Sequence, residues 1–218
     1  MADRPIIFSA PMIRAILDGR KSMTRRILTP QPAQWEARVI DITPPFFCEE
    51  LGGWGQSETI WSGPLIPGMC EPEREVWRPL KLPAVEGDRL WVRESFNVIE
   101  GGPIRDAAGG QMDYADAEIY YRASTPDACR CWRPSIYMPR WASRITLEVT
   151  GVKVERLQEI SEADAEAEGC EEGYCTVDGI AEGWSAKSDF ARLWNSINGP
   201  GAWEANPWVV AISFARLP

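Results

Sequence analysis

The chain has 218 residues, a formal net charge of −9, 44% hydrophobic residues, 11 Trp and no His. The lack of histidine excludes a Ser-His-Asp triad, a Cys-His pair and a His-ligated metal, so acid–base work falls to carboxylates, Lys, Cys or Tyr. Nine acids and no Lys or Arg occupy 159–182, which leaves 23 acids against 23 basic residues elsewhere; this acidity argues against nonspecific duplex binding but permits a local cationic site.

"RPIIFS" (4–9) predicts a short strand. Pro11 suits the first turn of a helix, where its missing N–H costs nothing, and Met12, Ile13, Ile16 and Leu17 share one face before Gly19 ends it. "KSMTRRIL" follows at once as a loop or second strand. Residues 29–85 read as a long loop-rich insertion, with seven prolines from Pro30 to Pro72 and the turn clusters "LGGWGQ" and "SGPLIPG". "GDRLWVRESF" (87–96), "AEIYYRA" (117–123), "RITLEVTGVKVERL" (144–157) and "PWVVAISFARL" (207–217) read as strands, and "EGGPIRDAAGGQ" (100–111) as a loop.

Two further helices are expected. "SEADAEAEG" (161–169) opens on Ser161 as N-cap and stops at Gly169; "SDFARLWNSING" (188–199) carries Phe190, Leu193, Trp194 and Ile197 as a core-facing stripe. The expected fold is α+β, a small mixed or antiparallel sheet curled into a β-barrel with flanking helices, as a single domain over 1–218. No apolar run of 18 residues is present and "MADRPIIFSAPM" has no signal-peptide core, so a cytoplasmic protein without a membrane partner is expected.

Six cysteines sit at 48, 70, 129, 131, 170 and 175. Cys129, Cys131, Cys170 and Cys175 number enough for a four-thiolate zinc site, but the C-x-C and C-x4-C spacings depart from zinc knuckles, and free thiols without metal or cofactor are the expectation.

The chemistry centres on Lys21 and Thr24. A threonine hydroxyl needs a base to become a nucleophile, and without histidine a neutral lysine is the natural candidate. Lysine has a reference pKa of about 10.4, so service near neutrality costs about 4 kcal/mol, toward which the neighbouring Arg20, Arg25 and Arg26 push. The competing reading is a solvated turn. A second cationic stretch, "CRCWRPSIYMPRWASR" (129–144), interleaves Arg133 and Arg140 with Trp132, Tyr137 and Trp141, a composition suited to phosphate contacts and base stacking. Glu94, after the Gly87-Asp88 turn, either faces a shared cavity or makes a structural ion pair.

"GRKSMTRR" resembles the G-x-K-x-x-T-x-R signature of ASCH domains, a branch of the PUA-like superfamily. "EGDRLWVRE", "LQEISEADAEAEG" and "NPWVVAISFARL" resemble that family's later motifs, in the same order, and "WRPSIYMPRWASRITLEV" resembles bacterial and prophage members with long insertions. The resemblance implies a PUA-like mixed β-barrel. It also implies an amidohydrolase that deacylates a modified nucleoside such as N(4)-acetylcytidine. Lys21, Thr24 and Glu168 would be catalytic, although Glu166 lies only two residues from Glu168. Arg26, Glu94, Arg133, Arg140 and Trp141 would bind the nucleoside or a single-stranded RNA. The alternatives are a non-catalytic RNA- or nucleotide-binding module, a ribonuclease, and a phage-borne protein that blocks a protein partner.

Overall fold

The computed structural model describes the backbone of residues 2–29, 31, 39–42, 46–48, 53–61, 72–79, 82–98, 118–177 and 180–218, and the side chains of these except 39–79 and 174–182. In chain order the elements are β1 (Asp3–Ile7), α1 (Ala10–Leu17), β2 (Met23–Ile27), β3 (Val39–Ile42), β4 (Phe46–Cys48), β5 (Gly53–Trp61), β6 (Pro72–Pro79), β7 (Arg89–Arg93), β8 (Phe96–Val98), β9 (Ile119–Tyr121), β10 (Thr146–Arg156), α2 (Glu162–Ala167), β11 (Gly173–Val177), β12 (Ile180–Trp184), α3 (Ala186–Asn198) and β13 (Trp208–Arg216).

The site is carried by a five-stranded mixed sheet of order β1-β7-β10-β13-β2. Only β1 and β7 run parallel; the other three pairs are antiparallel. The fold is therefore α+β, but the expected barrel is not formed, because the edge strands β1 and β2 share no ladder. One side chain bridges the gap instead: Arg26 on β2 donates from Nη2 to the Ile7 carbonyl on β1 at 2.8 Å. Alternating hydrophobicity shows which residues face inward but not whether the outermost strands meet, and the barrel expectation failed at that point. β10 shifts register between Val149 and Gly151 against β13, the position of a bulge.

Apolar residues cover both faces of β13. Val210, Ile212 and Phe214 join Ile6, Phe8, Ile13, Ile16, Leu147 and Val149 in the main core. Val209 joins Leu157, Ile160, Ala165, Phe190 and Trp194 beneath α2 and α3. Each fully buried aliphatic or Phe side chain is worth about 1.5–3 kcal/mol, so this interior strand anchors the fold. Ser161 caps α2 by accepting from the Asp164 N–H at 3.1 Å. α3 begins at Ala186, two residues before the expected start at Ser188, with Ser185 as its N-cap. Its stripe is only partly core: Phe190 and Trp194 are buried, whereas Ile197 is exposed.

The loop-like reading of 29–85 is also corrected. β3, β4 and β6 all pair antiparallel with β5, and Pro72 and Pro79 fall at the two ends of β6, where a strand tolerates proline. The short alternating runs "SETIW" and "EREVW" carried a strand signal that the surrounding Pro and Gly obscured. Residues 100–111 and Cys70 lie outside the described residues.

Candidate functional site

Backbone hydrogen bonds fix Lys21 before its side chain is considered. After α1, the amides of Arg20 and Lys21 both donate to the Ala15 carbonyl, which turns the chain sharply. The Ser22 N–H then donates to Ala167 at the end of α2, and the Ser22 carbonyl accepts from Phe214 on β13. Lys21 is thus pinned between the end of α2 and β13. Its Nζ donates to the Glu168 backbone carbonyl at 2.7 Å and to Glu168 Oε2 at 2.6 Å. Both side chains are buried. Burial pulls the Lys21 amine below its ordinary range, and the Glu168 carboxylate opposes that pull. Glu166, the other candidate in this acidic segment, is exposed.

Glu168 is the C-cap of α2. The next residue, Gly169, has φ +87°. A Cβ there would lie 3.2 Å from the Ala15 Cβ and 3.4 Å from the Lys21 Cβ. Glycine is what allows the α2 terminus to approach Lys21 so closely.

Thr24 is buried on β2 and lines a recess of ≈ 70 Å³ together with Glu168, Arg25, Arg26 and Trp194. Its hydroxyl makes no hydrogen bond among the described residues. The fold therefore joins Lys21 to Glu168 directly and sets Thr24 in the same recess as Glu168, without a Lys21–Thr24 hydrogen bond. Two buried polar atoms of the recess-lining residues lack hydrogen-bond partners: Glu168 Oε1 and Trp194 Nε1.

Arg26 serves as a strut. Besides its bond to Ile7, its guanidinium lies 5.3 Å from the Phe8 ring centroid, and Lys21 Nζ lies 5.8 Å from the same ring. Burial lowers the Arg26 pKa from the usual arginine range, and Glu168 counters this. Met12, Arg26 and Ile197 border both the recess and a larger cleft of ≈ 630 Å³ that opens between β1 and β2.

Sequence reasoning missed Arg25. Its side chain is buried; Nε and Nη2 donate to Glu155 Oε1 at 3.0 and 2.7 Å, and Nη2 also donates to Asp164 Oδ2 at 2.9 Å. Nη1 stands 3.5 Å from Glu168 Oε1, so Glu168 is placed between Lys21 and Arg25. Lys153 completes the cluster at 2.7 Å from Glu155 Oε2. A faint signal existed: adjacent residues of a strand point to opposite faces, so of Arg25 and Arg26 one had to face a helix layer. Trp194, read only as core, also lines the recess.

The remaining predicted residues lie outside this recess. Glu94 forms a two-point ion pair with Arg144 at 2.8 and 3.0 Å, and Arg144 stacks 4.1 Å from the Tyr121 ring. Arg140 pairs with Asp3 at 3.0 Å and lies 5.9 Å from Trp91; Arg133 and Trp141 are exposed. None of the four lines the recess or the cleft.

Among the described residues no group of three or more His, Cys, Asp or Glu is arranged to hold a metal. Cys170 is buried and its thiol is pushed up to about 12, chiefly by burial and then by Asp189. Cys129 and Cys131 are free, and the side chain of Cys175 lies outside the described residues. No described helix is long and apolar enough to cross a membrane. Compared with protein-family models, curated proteins and solved structures, the chain finds no match.

Proposed function

We propose that this chain is an amidohydrolase that removes an acyl group from a modified nucleoside such as N(4)-acetylcytidine, in the manner of the ASCH branch of the PUA-like superfamily. The observation that carries the reading is the buried Lys21 amine, 2.6 Å from Glu168 Oε2, beside a recess that Thr24 lines. The four ordered motifs add support from the sequence side.

A neutral amine has two N–H bonds and one lone pair. Glu168 accepts both N–H bonds of Lys21, through its carbonyl and its Oε2, which leaves the lone pair for a proton from Thr24. In the proposed sequence Lys21 takes that proton and the Thr24 oxygen attacks the amide carbonyl. The C–N bond then breaks as the leaving nitrogen takes the proton from the Lys21 ammonium, leaving an acyl ester on Thr24. Water, deprotonated by Lys21, releases the carboxylic acid and restores the hydroxyl. Glu168 orients Lys21 throughout. The reading carries a cytoplasmic location and a modified nucleoside or single-stranded RNA as partner.

The test is chromatography of acylated nucleosides incubated with the purified chain. Thr24→Val is expected to keep the fold and lower kcat by at least about 10³-fold. Full activity in that variant overturns the mechanism. A second reading is a non-catalytic RNA-binding module. It is favoured by Arg93, 5.4 Å from the Trp91 ring, and by exposed Tyr137 within the arginine-rich segment 129–144. Steeply salt-dependent RNA binding with no product would select it, and cleaved strands would select a ribonuclease.

A further inference from the structure

We infer that the open seam between β1 and β2 is an acyl-chain subsite, taking the aliphatic chain of an amide whose polar group sits in the recess beside Glu168 and Trp194. The polar end rests on the amide reading above; the chain end rests on the walls of the cleft itself.

Those walls are aliphatic. Pro5 and Ile7 come from β1, Leu90 from β7, Ile212 from β13, and Pro83 and Ala84 from the segment before β7. No aromatic ring lines the cleft among the described residues, and Ser9 and Arg26 are the only lining side chains there with oxygen or nitrogen. A nucleobase offers a flat π-face and several hydrogen-bonding edges, and sites for it provide rings or convergent polar groups. An alkyl chain requires neither. At ≈ 630 Å³ the cleft falls within the range of about 300–1,000 Å³ usual for small-molecule sites, whereas the recess at ≈ 70 Å³ holds only a small polar group. The lips are also apolar and uncovered: Ile7 is 43% and Ile197 56% exposed.

The recess matches an amide in hydrogen-bonding sense. Glu168 Oε1, which makes no hydrogen bond and has Arg25 Nη1 3.5 Å away, accepts from the amide N–H; Trp194 Nε1–H, which also makes no hydrogen bond, donates to the carbonyl. The guanidinium of Arg26 stands at the junction, where it complements the carbonyl oxygen and the charge that grows on it. Met12, Arg26 and Ile197 border both spaces, so head and chain are contiguous. The failure of the barrel to close is what creates the subsite: a β1–β2 ladder would occupy the seam.

The intact chain is titrated with N-methyl amides of linear acids from acetic to octanoic, and binding is read by NMR or calorimetry. Affinity is expected to rise about fourfold per added methylene, the worth of one buried CH₂. Ile7→Trp and Pro83→Trp fill the cleft from β1 and from the segment before β7, and neither residue lines the recess. Each should keep the affinity for N-methylacetamide and cancel the gain for longer chains, with an unchanged unfolding midpoint as the check on folding. Affinity that ignores chain length, increments that survive in both variants, or cytidine displacing the octanoic amide overturns the subsite. The readout is equilibrium binding, so it is separable from turnover. Chain-dependent binding without cleavage of any acylated nucleoside removes the hydrolase and leaves the subsite; cleavage of N(4)-acetylcytidine without a chain increment does the reverse.

Discussion

Lys21 is under two opposed pressures, burial that disfavours its charge and a carboxylate at 2.6 Å that favours it. Burial is the larger, so the amine titrates below the ordinary lysine value of about 10.4. Were Lys21 the base, kcat/KM would rise with pH through a limb below that value, and Lys21→Ala would remove the limb and about 10²–10⁴-fold of rate. A pH–rate profile measures this; an unchanged limb in the variant assigns it to another group. Stability has the same sign: with the folded pKa lowered, the unfolded state binds more protons in the window up to about 10.4, so this residue's contribution improves as pH rises there. Arg25 gives a second prediction. Arg25→Met leaves buried Glu155 with Lys153 alone and is expected to cost about 3–5 kcal/mol in urea unfolding. The double variant Arg25→Met/Glu155→Leu should recover most of that loss, because an apolar pair leaves no orphaned charge. Equal losses in the single and double variants would mean that desolvated charge is not the cause.

Elements matter here through their ends. The C-terminus of α2 approaches Lys21 only because Gly169 has no side chain and adopts a positive φ. Gly169→Ala adds strain at φ +87° and a contact 3.4 Å from the Lys21 Cβ. It should cost more than about 1 kcal/mol and also lower turnover by displacing the Lys21–Glu168 pair. Gly19→Ala is the control: φ is +75°, but a Cβ there meets nothing within 4 Å. It should show the conformational cost with turnover kept. Denaturation and activity measured together separate the two; equal loss of turnover in both variants would remove the packing argument. Ser161, Gly169 and the apolar stripe of α3 were visible in the sequence because capping and periodicity are local. The start of α3 at Ala186 was not, since Ser185 and Ser188 are the same cap-favouring type.

At the scale of the whole molecule, one carboxylate ties the chain's first strand to its sheet. Asp88 accepts from the Ala2 N–H at 2.7 Å, the Val85 N–H at 3.3 Å and Arg4 Nε at 3.1 Å. These bonds, Ala2's first, hold its pKa below the usual carboxylate value of about 3.9. Its stabilisation is complete above that value and is lost as pH falls through the lowered folded pKa. Asp88→Asn should therefore lower stability at neutral pH and flatten its decline in acid, as read by denaturation at several pH values; an acid decline as steep as that of the parent chain would place the titration elsewhere. β1 also forms one lip of the seam, so the same variant should loosen the cleft.

Strand alternation in 87–96, 144–157 and 207–217, the Ser161 cap of α2, and the types of residue able to do chemistry without histidine were all set by the sequence, because each depends on neighbours within a few positions. Tertiary structure alone decided the rest. It buried Glu168 against Lys21 and left Glu166 exposed. It sent Glu94 to Arg144 and brought Arg25 into the polar cluster. It left the sheet open between β1 and β2, spanned by Arg26. Those outcomes hinge on which distant surfaces pack against each other, and a charge or a strand edge carries no mark of the partner that long-range packing will give it.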